Sequence, residues 1–396
     1  MTAIPARARQ RMIVALCCGL AAAIALPAGL VVGMNAVLNE RGGVRVVEPT
    51  TLRIPATPAA LLGVRNAAGE VTALWALALA TDGVGGTIVS VPAKAAPPVA
   101  GGEAPRRLAD GDVGGDPAAL VADAEALLGV TFAVAAVVDR DALAAMLDPV
   151  GAVEVVLDSD VRRTEPDGST AVVAKAGRRT VDAGVLADVL TSREIDQPES
   201  ARANHQRSVL AAVASGAGNA AARGAAGSAD AGVPRTIEAF VARLLGGTVQ
   251  TWQLSATAVP RGDGNPDGLD LYALDPAEVL LVMASVAPTS LVAAADEDAP
   301  RVQIDSPLND PLASREAVRR LAELGFAVVL VREVPGPAPS LTRLELADGA
   351  AAARLEDVVA RMGDAETASA VERTEGVDVR VVLGESFATF VAAARS

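Results

Sequence analysis

The chain offers few side chains that could carry covalent or metal chemistry. His205 is its single histidine, which excludes a multi-histidine metal centre and any second histidine role. Cys17 and Cys18 are adjacent inside an apolar run, so the rest of the chain has neither a disulfide nor a thiolate metal site. No nucleophilic serine elbow is present. The run Gly83-Val84-Gly85-Gly86 joins two strands and opens no helix, so it does not cradle a phosphate. What remains is charge. Asp82, Asp110, Asp112 and Asp116 could supply carboxylates, although aspartates in such Gly- and Pro-rich loops ordinarily make turns. Arg202 and Arg207 share a helix with His205, where arginines ordinarily face solvent and a histidine is a surface or capping residue.

Composition narrows the function. The formal net charge is −14, and it becomes more negative once the leading Arg7, Arg9 and Arg11 are set aside. A nucleic-acid partner needs a basic face, and this acidic balance argues against such a partner. Hydrophobic residues make up 51% and aromatics only 2%, so the core is built from Ala, Val and Leu. That leaves no evident aromatic platform for bases or sugars.

These residues need elements to position them, and the 396 residues suffice for two or three domains. Residues 1–11 form a short basic tail. Met12–Leu38 holds no charged residue and exceeds the roughly 20 apolar residues a bilayer span needs. The preceding arginines place the amino terminus in the cytoplasm. The expectation is an uncleaved, single-pass signal anchor in the cell membrane, with the bulk of the chain outside. Residues 39–58, with two glycines and three prolines, read as a tether.

From residue 59 to 300 the pattern is α/β. Ala60–Arg65, Val71–Ala80 and Thr87–Pro92 read as strands, the last two as a hairpin. Ala95–Gly115 reads as a mobile surface loop, and Asp116-Pro117 as the start of a helix that Gly129 ends. Leu127–Leu157 reads as strand, crossover helix, strand, apolar enough to be covered on both faces. Helices follow at Val181–Leu190 and Ser200–Ala214, then a flexible Ala/Gly segment at 215–232. Thr236 caps a further helix to Leu245, Thr248–Leu254 alternates as a strand, and Asp275-Pro276-Ala277-Glu278 reads as a capping box. Residues 301–396 follow the order β-α-β-β-α-β, expected to be a small domain of split βαβ type.

The order of short motifs resembles that of the LytR-CpsA-Psr (LCP) cell-envelope family. Leu61-Leu62-Gly63 is similar to its "LLLG" strand, Ile88-Val89-Ser90-Val91-Pro92 to "SIPRD", Gly151-Ala152-Val153 to "GGV.V", and Arg202-Ala203-Asn204-His205-Gln206-Arg207 to "RxxRQQ". The terminal section, through Leu324–Val329 and Val381–Phe387, resembles the LytR_C domain of actinobacterial members. The fold implied is an amino-terminal transmembrane helix, an LCP-like α/β/α layered domain with a mixed sheet, and a small βαββαβ domain.

The resemblance implies a polyprenyl-pyrophosphate-linked glycan, gripped by arginines and Mg²⁺ with its lipid in an apolar pocket. Its glycan phosphate would pass to a peptidoglycan hydroxyl. Such transfer needs guanidinium groups for the phosphates and carboxylates for the metal. By this resemblance Lys94, Arg193, Arg202 and Arg207 are the candidate phosphate-binding residues, with Mg²⁺ required only if the family activity is retained. The motif positions are eroded: "PRD" is Pro92-Ala93-Lys94, "RxR" keeps only Arg193, and Glu70 is the carboxylate nearest the "RSDT" acid. Lost charged contacts are worth roughly 1.5–3 kcal/mol each. The expectation is therefore a catalytically degenerate protein that binds a lipid-linked glycan precursor or a cell-envelope partner protein. An active transferase using Lys94, Arg193 and Arg202, and a purely structural protein, are the alternatives. An apolar tunnel opening near Arg193 and Arg202 would mark lipid binding; a filled core would remove it.

Overall fold

The computed structural model describes residues 50–98, 104–165, 167–194, 197, 199–222, 232–292, 299–346, 355–370 and 372–394. Residues 1–51 and 52–396 separate as two compact units, and the second contains all the structure below. The proposed anchor at Met12–Leu38 lies outside the described residues. Among the described residues no helix is long and apolar enough to cross a membrane.

A five-stranded mixed sheet forms the centre. Its order is Val249–Gln253, Gly86–Val91, Val71–Leu79, Ala59–Arg65, Val134–Val138. The three inner strands pair antiparallel, and each outer strand pairs parallel with its neighbour. The central strand Val71–Leu79 is buried along its whole length, because both faces of the sheet are covered. Leu62, Val64, Trp75, Leu77 and Ile88 face helices Arg140–Leu147, Ala183–Thr191 and Ile237–Leu245. Leu61, Leu74, Ala76, Val89 and Val91 face Ala118–Leu128 and Pro276–Val286. The result is a three-layer α/β/α arrangement, as the continuous apolar runs predict.

The hairpin turn shows what its glycines are for. Gly86 has φ +139, and a Cβ there would press into the Ala78 carbonyl. Gly69 has φ +80 with open space around it. We expect Gly86→Ala to cost about 2–4 kcal/mol, from backbone strain and overlap together. Gly69→Ala, strained but unobstructed, should cost only about 1 kcal/mol in the same urea titration. Equal midpoints for the two variants would refute this account.

Several expectations are corrected. Val153–Leu157 does not complete a βαβ unit with Val134–Val138. It pairs antiparallel with Gly177–Val181 in a separate two-stranded sheet. Its burial alternates, so only one of its faces is covered. Val161–Thr164 and Thr170–Ala174 form another hairpin, closed by the Glu165 amide donating to the Ser169 carbonyl at 2.8 Å. The described parts of the supposed loop Ala95–Gly115, residues 95–98 and 104–115, are anchored rather than loose. Ala95 and Leu108 are fully buried, and Leu108–Gly111 makes a 3₁₀ turn.

The helix expected to stop at Ala214 runs from Glu199 to Ala222. Gly216 explains part of this, since a Cβ there would collide with Val150 and Val153, which the helix approaches closely. The rest of the supposed flexible segment, 223–231, lies outside the described residues. Asp275 caps its helix, but Glu278 turns its carboxylate to Ser255, so the capping box is only half made.

The terminal sheet has the order Ala327–Glu333, Arg301–Ser306, Val379–Val382, Thr342–Leu346, Ala365–Ser369. Each β-α-β pair consists of adjacent parallel strands, and Val379–Val382 lies between the two pairs. The split arrangement is therefore not the one formed, and a helix, Glu385–Ala393, follows the last strand. The core beneath this sheet includes Leu281 and Ala284 of the preceding helix.

Candidate functional site

A cleft of about 320 Å³ opens where four segments meet at one end of the central sheet. Gly69–Thr72 begins the central strand, Ala93-Lys94 follows the strand ending at Val91, and Arg107–Asp112 is the anchored 3₁₀ turn. Arg193 and Arg202 come from the helix pair on the other side. Three of the four expected phosphate residues, Lys94, Arg193 and Arg202, thus line one cavity. They are joined there by Arg107.

Each of these cations already has a carboxylate. Lys94, largely buried, forms an ion pair with Asp270. Burial pushes the Asp270 carboxyl up, but the Lys94 ammonium, the Tyr272 hydroxyl and the Arg193 charge more than offset this, leaving it below the usual range. Burial pushes Tyr272 up, and the Asp270 charge beside it acts in the same sense. Arg202 is buried, pairs with buried Glu199, and also donates to the Thr72 carbonyl. Arg193 Nη1 lies 3.4 Å from Glu70 Oε2. Arg107 Nε donates to Asp110 at 3.1 Å. Behind the cleft, Arg65 holds Asp112 through bonds of 2.5 and 2.7 Å, and that hydrogen bonding raises the guanidinium's pKa. Five basic side chains and their five carboxylates cancel.

Arg207 stands apart. Five residues along a helix turn a side chain by about 140° from its starting direction, and Arg207 instead donates to Gln253 Oε1 at 2.9 Å. His205 is also outside the cleft. Its Nε2 lies 2.9 Å from Ser159 Oγ, and burial holds its pKa below the ordinary value despite the opposing Asp158 charge. Such an imidazole is neutral at pH 7 and serves as a satisfied buried group. Asp82 and Asp116 make local turns, accepting from the Val84 and Ala118 amides.

Mg²⁺ does not fit the described donors. Among the described residues no group of three or more His, Cys, Asp or Glu could hold a metal. Asp110 and Asp112, which hard-cation binding would need, are committed to guanidinium groups. The expected apolar tunnel is likewise reduced. The core beside Trp75 keeps a cavity of about 30 Å³, and it shares no lining residue with the charged cleft. Trp75 Nε1 and Gln206 Nε2 are buried with no hydrogen-bond partner among the described residues.

Sequence reasoning missed Arg107, because its loop carried every mark of mobility. The Arg106-Arg107 doublet before an apolar residue was the available signal. Arg106 reaches Asp123 of the next helix at 2.6 Å. Lys94–Asp270 spans 176 residues, and no local pattern announces such a partner.

The fold and cleft define a three-layer α/β domain with a charge-compensated basic cavity at one sheet end. Residues 107–223 match the model of the LytR_cpsA_psr family. Three solved structures are similar. The TagV structure from B. subtilis is 13% identical with TM-score 0.41, over 57% of this chain and 94% of that one. TagT bound to LIIa-WTA is 16% identical with TM-score 0.42, over 57% and 88%. The LytR-CPS2A-psr family protein YwtF (TagT) with bound octaprenyl pyrophosphate lipid is 16% identical with TM-score 0.38, over 57% and 86%. No curated protein matches the chain.

Proposed function

We propose that this chain is a catalytically degenerate LCP-type protein of the cell envelope. Residues 12–38 hold it in the membrane, and its folded part, outside the cell, recognises the diphosphate head of a lipid-linked precursor without transferring the glycan. The family match over residues 107–223 supports the class, and that segment includes Arg107, Arg193 and Arg202 of the cleft. One observation carries the degeneracy: every cation at the cleft is already neutralised by its own carboxylate. A diphosphate must compete with these pairs, and transition-state charge meets no surplus positive field. The filled core speaks against deep burial of a polyprenyl chain.

Retained transferase activity is the second reading, favoured by the convergence of Lys94, Arg107, Arg193 and Arg202 on one cavity. The two separate in one assay. The full chain is incubated in detergent with polyprenyl-pyrophosphate-linked glycan, Mg²⁺ and peptidoglycan. We expect no glycan transfer above the protein-free background; turnover would overturn the proposal.

A further inference from the structure

A groove of about 780 Å³ lies at the opposite end of the central strand from the charged cleft. Ala78, Leu79 and Ala80 border the groove, whereas Val71 and Thr72 border the cleft, and the two share no lining residue. Leu281, Val282 and Val286 of the helix Pro276–Val286 make its floor apolar, and Leu330 and Val331 of the terminal sheet also line it.

Aromatic residues are scarce in this chain, yet the fold exposes one of its two tryptophans here. Trp252 is 37% exposed and lines the groove. Strand alternation explains its direction. Val249 and Gln253 take the face that the helix Glu199–Ala222 covers, where Val249 joins the core of Val209 and Val213 and Gln253 accepts from Arg207. Gln250 and Trp252 therefore take the other face, level with Thr87 and Val89 of the adjacent strand. On that face Val89 packs with Val282, a residue of the groove's floor.

The polar groups beside the indole are neutral. Thr81, Thr87, Thr248 and Gln250 line the groove, and none of their side chains has a hydrogen-bond partner among the described residues. Each hydroxyl or amide can both donate and accept. Of the charged lining residues, Arg332 turns onto buried Asp305 at 2.8 Å, while Arg53 and Glu333 are opposite in sign, so no single-sign field draws an ion. A hydrocarbon occupant would cover the indole and the floor but strip water from these polar side chains without replacing it. A pyranose ring has both kinds of surface the groove presents. Its flat C–H face suits the indole and the floor, and its hydroxyl rim suits the amide and the threonines. The volume also falls within the roughly 300–1,000 Å³ of small-ligand sites.

We infer that this groove is a second binding site, for an uncharged oligosaccharide, with Trp252 as its stacking platform and Gln250 as its principal hydrogen-bonding side chain. The inference does not rest on the phosphate cleft.

The test is calorimetry on the full chain in detergent, with chitotetraose, an uncharged β-linked tetrasaccharide, as probe. Saturable binding is expected. Trp252→Ala should weaken it about tenfold or more, and Trp252→Phe, which keeps a smaller aromatic face, only about two- to threefold. Gln250→Ala should weaken it about three- to fivefold. Both residues are exposed, so the variants should keep the parent's Tm, which separates lost recognition from lost folding. Inorganic pyrophosphate, the probe of the charged cleft, should leave the chitotetraose affinity unchanged. Equal affinity in Trp252→Ala, displacement of the sugar by pyrophosphate or octaprenyl phosphate, or no saturable binding at millimolar sugar would overturn the inference.

Discussion

Replacing Asp305 with alanine should destabilise the folded chain by about 3–5 kcal/mol, the cost of leaving buried charges without their partner. Asp305 lies on the strand Arg301–Ser306 with its side chain wholly buried. It accepts from Arg332 at 2.9 and 2.8 Å, from Arg380 at 2.7 Å and from the Gln303 amide at 2.8 Å. Arg380 passes on to Glu345 at 3.0 Å, so one carboxylate links four neighbouring strands of the terminal sheet. Its removal takes the acceptor from the Arg332 guanidinium and the Gln303 amide together, while Arg380 keeps Glu345.

The same carboxylate sets a pH dependence. Burial raises the Asp305 pKa, but hydrogen bonds and charge from Arg332, with help from Gln303 and Arg380, bring it below the ordinary value. A depressed folded value means that the contribution is complete above the unfolded carboxyl's pKa of about 3.9. It is lost as pH falls through the lower folded value. Urea titrations of the parent chain should therefore show stability falling below about pH 4, and Asp305→Ala should flatten that fall. A loss under about 1 kcal/mol at pH 7 would show that the network carries little of the terminal sheet's stability.

How much was legible follows from where the information lay. The first sheet could be read because strands such as Val71–Leu79 are apolar on both faces, and that pattern is local. Val161–Thr164 and Gly177–Val181 could not, since Val-Arg-Arg-Thr and Gly-Arg-Arg-Thr-Val carry no apolar period. Their strand form comes from pairing with Thr170–Ala174 and Val153–Leu157. The terminal strands were visible individually, while their order was not. Val379–Val382 enters between two finished β-α-β pairs, a choice made by long-range packing. In the cleft, Lys94, Arg193 and Arg202 were found through the order of motifs around them. Arg207 was placed with them by the same ordering, and helical geometry separates it. The neutralising partners Asp270 and Glu199 were invisible, because charge pairing belongs to the folded surface.

That neutralisation yields the second large effect. Removing a competing carboxylate should increase the affinity of inorganic pyrophosphate for the cleft. Asp270→Asn frees the Lys94 ammonium, which is largely buried and so weakly solvated. A charge-assisted bond to such a cation is worth about 1.5–3 kcal/mol, so about a tenfold or greater gain is expected by calorimetry at low salt. Glu70→Gln frees Arg193 at the rim, where its pair is exposed and long, and should give about two- to fivefold. The two carboxylates hold different cations, so their gains should combine nearly additively. Part of the Asp270→Asn gain is taken back in stability, because the uncompensated Lys94 charge lowers Tm until pyrophosphate binds. Ligand should then raise Tm more in the variant than in the parent. If either substitution instead weakens pyrophosphate, and does so only with Mg²⁺ present, the carboxylates act as metal ligands and the transferase reading takes over.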